Sequence, residues 1–396
     1  MKNKKHIISL GVVIILIITS LCSCKVVRED YVSIANTTGR TIKLTLWGSA
    51  EDQQILSEMI EKFKQSNSQN TYEISQKIIG EDKAQDEVKK DPVMAADVFA
   101  VAHDQLGKLV EDGLIYENTK YSEEICKENT KGSVDACTYK GKLYGYPVSQ
   151  KTYFLYYDKR IFSEDDVKSL DSMLSKPVES GVDRIGIDMA DAYYTTSFFL
   201  TAGCNLFEEG YFDPEHISFD DEPGKEAVNY IKGLMARGVA SISSEESDSR
   251  FAQGKLGAYI SGDWKASSFK EKLGENYAVA SLPGVDMGSG EKHMVSFAGY
   301  NIYCISANTQ EPLAAMSLAN FLVNKENQEI RYKKRNLLPT NNELINDISN
   351  QQNDLARAAI TQLNYSFVVP STPQMCKFWA PMAAYSRDLF LNKISA

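Results

Sequence analysis

Histidine is scarce in this 396-residue chain: there are four, none in a metal-ligand spacing such as H-E-x-x-H. The three beyond the N-terminal region, His103, His216 and His293, lie far apart in sequence, which argues against a metal site or a His-activated nucleophile. No G-x-S-x-G elbow occurs, and Gly288-Ser289-Gly290 lacks the following G-K-[S/T] of a phosphate loop, so it reads as a polar turn. The acidic pairs Asp165-Asp166 and Asp220-Asp221 fall in helix-start or loop contexts, whereas a glycosidase needs two carboxylates converging across a cleft. Basic charge is also short. Lys and Arg number 43 against 53 Asp and Glu, a formal net charge of −10, which disfavours a nucleic-acid partner. The seven cysteines are scattered without a C-x-x-C, so neither a zinc site nor a disulfide framework is expected. Cys126 and Cys137 are close enough in sequence to pair, although buried free thiols are the plainer reading. No catalytic residue, metal or cofactor is therefore expected.

No apolar run reaches the ~20 residues of a membrane-spanning helix. The longest, Ile7 to Leu21, has 15 uncharged residues and follows Lys2, Lys4 and Lys5, the pattern of a secretory signal peptide. Its end, Leu21-Cys22-Ser23-Cys24, resembles the bacterial lipobox. Residues 1–23 then form a lipoprotein signal peptide and Cys24 carries the lipid, a diacylglyceryl group with palmitate-type chains, because one acyl chain alone binds membranes only marginally. Loss of the three lysines would take the net charge from −10 to −13. Residues 24–41 are polar and aperiodic and read as a tether. The expected location is extracytoplasmic, anchored to the cell membrane.

From Thr41 onward, strand and helix patterns alternate. "IKLTLWG" has period-2 apolar residues, and "AEDQQILSEMIEKFKQSN" places Ile55, Met59, Ile60 and Phe63 on one helical stripe. "AADVFAVA" is apolar enough for both faces of a parallel strand to be buried, and "HDQLGKLVEDG" reads as a helix closed by Gly113. "KGKLYGYPVSQKTYFLYYDKR" reads as a hairpin turn, a proline and a long aromatic strand, and "MADAYYTTSFFLTAG" as a helix ending in glycine. "PLAAMSLANFLVNKENQEIRYKK" has the periodicity of one long helix. A chain of this length exceeds what one core usually covers, so two α/β lobes are expected.

Seven segments in this order, "LTLWGSAEDQQILSEMIEKFKQ", "ADVFAVAHDQLGKLVEDGLI", "YKGKLYGYP", "AYYTTSFFLTAG", "GAYISGDW", "NFLVNKENQE" and "PSTPQMCKFW", resemble the extracellular solute-binding proteins of bacterial sugar importers, maltose/maltodextrin-binding type. The resemblance implies a two-lobe periplasmic-binding-protein-like fold with three hinge crossings, near 146–151, 297–303 and 336–340. Lobe 1 would comprise 42–147 plus 300–338, and lobe 2 would comprise 148–299 plus 339–396. It also implies that the family pattern continues by a further helix beyond Ala396.

For function, the resemblance implies capture of a malto-oligosaccharide between the lobes, handover to ABC permease subunits, no catalysis and a monomeric state. The alternatives are a binder of another oligosaccharide class or a surface glycoside hydrolase. By position, Trp264 and Trp379 stack on sugar rings, since a pyranose offers an apolar C–H face and a rim of hydroxyls. Trp47 lies in the first strand and is expected in the core. Asp104 and Gln105 match first-lobe positions that hold hydroxyls, Glu51 matches a further carboxylate, and Asp191 and Tyr193 match a second-lobe carboxylate and aromatic. Two positions depart from the maltose-binding pattern. Lys151 stands where a Glu is usual, and Val101 stands where an aromatic is usual, which implies a thinner aromatic platform in lobe 1.

Overall fold

The computed structural model describes residues 39–207, 213–351 and 353–394. Cys24, the signal segment 1–23 and nearly all of the 24–41 tether lie outside them. Ten strands form the principal sheet: β1 (Thr41–Gly48), β2 (Thr71–Ile78), β3 (Val98–Ala102), β4 (Tyr146–Asp158), β5 (Asp183–Ile187), β6 (Val239–Ser241), β7 (Leu256–Gly262), β8 (Tyr277–Ala280), β9 (Ser296–Ile305) and β10 (Ser366–Val368). Their order is β6-β5-β7-β4-β9-β3-β1-β2, with β8 also on β4 and β10 on β9. In β1 the alternation is direct: Ile42, Leu44 and Leu46 are buried while Thr41, Lys43 and Thr45 face out.

Two strands belong to both halves of the sheet. The first half of β4, through Thr152, pairs with β9; its second half pairs with β7 and β8. Strand β9 pairs with β3 over Asn301–Ile305 and with β10 over Ser296–Ala298. The apolar cores change at the same place. Leu46, Phe99, Leu106 and Ile302 belong to a cluster drawn from residues 42–148 and 298–323. Beyond Thr152 the side chains of β4 alternate between two others. Tyr153, Leu155 and Tyr157 join Phe198 and Phe390, whereas Phe154 and Tyr156 join Phe269 and Leu338. That is period-2 packing of a strand covered on both faces.

The junction is polar and densely hydrogen-bonded. The Thr152 hydroxyl donates to the Phe297 carbonyl (2.8 Å) and shares a 2.7 Å hydrogen bond with Ser296. Gln362 donates to the Met294 carbonyl (3.0 Å) and to Ser296 (3.1 Å). The segment 336–340 passes the same region. Its Leu338 carbonyl accepts from the Gln150 N–H (2.9 Å), and Thr340 is tied to Gln328 and Asn129, both on the first-lobe side (each 2.7 Å).

The stretch expected as one long helix is two, Pro312–Leu322 and Lys325–Arg335. Asn324 breaks it by acting as N-cap, its side chain accepting from the Asn327 N–H at 2.9 Å. "HDQLGKLVEDG" likewise divides, into a 3-10 turn (His103–Gln105) and a short helix (Leu106–Glu111). Gly113 follows at φ +67°, the left-handed region that glycine enters at little cost. Trp47 is in the first-lobe core. Cys126, Cys137, Cys204 and Cys304 are free thiols. Among the described residues no helix is long and apolar enough to cross a membrane, and no cluster of His, Cys, Asp and Glu could hold a metal ion.

Candidate ligand-binding cleft

The turn after β3, the floor strands β4 and β9, and two second-lobe segments surround one space of about 330 Å³. Asp104, Gln105, Lys151, Tyr193, Trp264 and Trp379 all line it, joined by Asp82, His103, Gly299 and Tyr300. Six of the eight residues expected from sequence are thus brought together. Asp191 lines an adjoining space of about 370 Å³ with Tyr193 and Trp379. Glu51 is exposed on the turn before the first helix and is not among the residues around either space. The acid buried there is Asp52, paired with Arg335.

The aromatic wall belongs to the second lobe. In the helix Met375–Phe390, Phe378 turns into the core while Trp379 stays partly open. The Trp379 ring meets Phe297 edge-on at 5.6 Å and Tyr193 at 6.4 Å, and Tyr193 in turn stacks on Phe297 at 5.8 Å. Trp264 follows the end of β7 and is 51% exposed. Its ring lies over Gly262, where an added Cβ would fall 2.0 Å from a ring carbon, so "SGDW" needs glycine there.

The polar wall is mostly first-lobe. Among the described residues, Asp104 and Lys151 have neither a hydrogen-bond nor an ion-pair partner, which leaves one carboxylate and one ammonium available to a ligand. The Lys151 stem runs over Gly299, with Cε 3.1 Å from where a Cβ would stand. Gln105 is engaged within its own lobe, accepting from the Gln85 N–H (3.3 Å) and donating to the Asp82 carbonyl (3.2 Å). Asp191 also has a local task. It is the N-cap of Ala192–Ala202 and accepts from the Tyr193 N–H at 2.8 Å, so it fixes the start of the helix that carries Tyr193. Val101 is fully buried in the first-lobe core and is not among the residues around the space.

Three groups carry the electrostatics and were not apparent from sequence spacing. His103 is 2% exposed; its Nε2–H donates to the Val369 carbonyl (2.9 Å) while Nδ1 accepts the Tyr300 N–H (3.1 Å). Burial holds its pKa below the ordinary value, against the pull of Asp104. Burial raises the carboxyls of Glu81 and Asp263, one from each lobe, and the positive charge of Lys151 acts against both shifts. Lys151 therefore sits within the field of acids on both sides of the floor. Tyr193 is likewise raised by burial, so its phenol stays neutral and can both donate and accept.

A family model described as bacterial extracellular solute-binding protein matches residues 58–358. The galactooligosaccharide-binding protein of Bacillus subtilis is 26% identical, covering 88% of this chain and 85% of that protein. The maltooligosaccharide ABC transporter solute-binding lipoprotein of Streptococcus pneumoniae is 26% identical over 72% of this chain and 69% of its own length. The ligand-free structure of the maltodextrin-binding protein MalE1 from L. casei superposes with a TM-score of 0.83 at 26% identity, covering 91% of this chain and 95% of that one.

Proposed function

The chain belongs to the bacterial extracellular solute-binding proteins, and on that premise we propose that it captures a malto-oligosaccharide between its lobes and passes it to an ABC permease. One observation carries the reading. The unpartnered Asp104 and Lys151 stand across a single space from the open faces of Trp264 and Trp379. Sugar hydroxyls suit charged partners, which make the stronger hydrogen bonds, and the C–H face of a pyranose suits an indole. Names of the Streptococcus pneumoniae and L. casei proteins support the ligand class. Gln105, Asp191 and Tyr193 complete the proposed site, with Gln105 and Asp191 acting by holding their neighbours in place, whereas Glu51 stands outside the two spaces.

The chain binds without chemistry, as a monomer, and is held at the outer face of the cell membrane by lipid on Cys24. The lipoprotein relative and the Leu21-Cys22-Ser23-Cys24 sequence support that anchoring. A second reading, a galacto-oligosaccharide, is favoured by the Bacillus subtilis relative, which matches more of this chain than the maltooligosaccharide one does, 88% against 72%.

A thermal-shift screen of the mature chain over malto- and galacto-oligosaccharides tests the choice. A true ligand at a hundredfold excess over its Kd stabilises by about 2.7 kcal/mol. A shift with α-1,4-glucans supports the first reading, a shift with galactosides alone replaces it with the second, and sugar released from starch on overnight incubation would contradict binding without chemistry.

A further inference from the structure

A second cavity, larger than the cleft, lies elsewhere in the first lobe. A space of about 700 Å³ lies at the opposite end of the first lobe, where β1 and β2 begin and the helix Pro312–Leu322 starts. The cleft opens beyond the far end of β1, and the eight residues of that strand at ~3.3 Å each put the two spaces roughly 26 Å apart. The volume falls in the ~300–1,000 Å³ range of small-molecule sites.

The lining states a chemistry. Tyr72 and Tyr121 supply rings, both set firmly. Tyr72 is met edge-on by Phe63 at 5.0 Å, and the Tyr121 hydroxyl is hydrogen-bonded to Ser317 at 3.0 Å. The polar groups are mainly amides, Asn67, Gln69, Asn70, Asn308 and Gln310. Of the charges, Arg40 is paired with Glu311 at 2.5 Å, and the Lys120 ammonium lies over the Tyr121 ring at 4.9 Å and donates to Ser317. An anion site would need a cluster of free cations or an open helix N-terminus, but here the one lining cation without an acid among the described residues, Lys120, is held by Ser317 and the Tyr121 ring, and Glu311 occupies the N-terminus of Pro312–Leu322. A cation site would need surplus acids. Planar neutral amides, one neutralised ion pair and fixed aromatic rings instead suit an uncharged polyol with an apolar face.

The geometry points to a second carbohydrate site in this first-lobe cavity, one that takes neutral oligosaccharide. It rests on the same ligand class as the cleft but not on the cleft itself. Two sites on one chain would retain a long glucan or galactan near the cleft by effective concentration, without any gain in cleft affinity.

Saturation-transfer NMR with maltotriose and with β-1,4-galactotriose tests it on the mature chain, on Trp264→Ala/Trp379→Ala, and on Tyr121→Ala/Gln310→Ala. The expected result is weak binding that survives in the cleft variant and falls at least tenfold when the Tyr121 and Gln310 changes are added. The Tyr121→Ala/Gln310→Ala chain alone should keep its cleft binding, which also shows that it is folded. If the cleft variant loses all saturation transfer while the wild type binds, the second site is overturned and the cleft reading stands. If the signal survives both sets of changes, the sugar is bound elsewhere and the assignment fails. Absence of any signal from the wild type with either sugar overturns both readings.

Discussion

Truncation of Trp379 separates the two roles an indole can have here. Its ring contacts Phe297 and Phe378 at 5.6 Å each and Tyr193 at 6.4 Å, all on the second lobe, while part of it remains open to the cleft. A sugar ring stacked on the open face would cover on the order of 100 Å² of apolar surface, about 2.5 kcal/mol at 25 cal/mol/Å². Aromatic stacking adds ~0.5–1.5 kcal/mol. At ~1.4 kcal/mol per decade, Trp379→Ala should weaken sugar binding by about two to nearly three orders of magnitude. Stability should fall less than the ~3–5 kcal/mol of a fully buried aromatic, because water fills the space left on the cleft side. A loss of about 1–2 kcal/mol corresponds to roughly 2–8 °C in Tm for a lobe of this size. Calorimetric titration and thermal melting of the same preparation measure both. A Tm drop well beyond 8 °C with affinity unchanged would show that the ring is core and would refute the argument.

Gly262→Ala should act at a distance from any ligand. Its backbone sits at φ −88°, open to any residue, but the new Cβ would fall 2.0 Å from the Trp264 ring and push it aside. Sugar affinity should drop tenfold or more, with Tm within about 2 °C because Trp264 is mostly exposed; unchanged affinity would count against Trp264. Gly107→Ala should be far more damaging to stability, since its Cβ would meet the Ser371 carbonyl oxygen at 2.0 Å and Tyr139 at 2.7 Å, and a normal melting temperature would show that this contact yields. Burial lowers the pKa of His103, so as pH falls the unfolded chain takes the proton first. Its contribution is complete above the ordinary value of ~6.5 and is lost below it, at up to about 1.4 kcal/mol per pH unit. The raised Glu81 and Asp263 carboxyls oppose that trend, so the test is the difference between wild type and His103→Gln in melting from pH 7.5 to 5. The variant should lose less, and parallel curves would contradict the assignment. Finally, Cys24→Ala should release the protein from the membrane fraction, and a variant that stays membrane-bound would contradict lipid anchoring.

Strands β1 and β3 were readable because their physics is local. One alternates and the other is apolar throughout, as a covered parallel strand must be. The break at Asn324 was not, since the apolar periodicity runs on through it and only the cap geometry shows the stop. In the cleft, Trp264 and Trp379 were legible through resemblance to a family, as aromatics in motifs of fixed order. His103, Glu81 and Asp263 were not, because each owes its state to burial between segments distant in sequence, as when His103 bridges Val369 and Tyr300. Asp191 shows the converse difficulty. A carboxylate one residue before a helix satisfies an N-cap as well as a ligand, and only the 2.8 Å bond to the Tyr193 N–H exposes the local role.

Calorimetric titration of the mature chain with maltose through maltoheptaose, repeated on Trp264→Ala/Trp379→Ala, tests the cleft most directly. One tight site per chain is expected for at least one α-1,4-glucan, with its loss in the double variant while the melting transition persists. Tight binding of a glucan that survives in the double variant, or no heat with any glucan beside clear heat with a galacto-oligosaccharide, would contradict the proposed function, the first in its site and the second in its ligand.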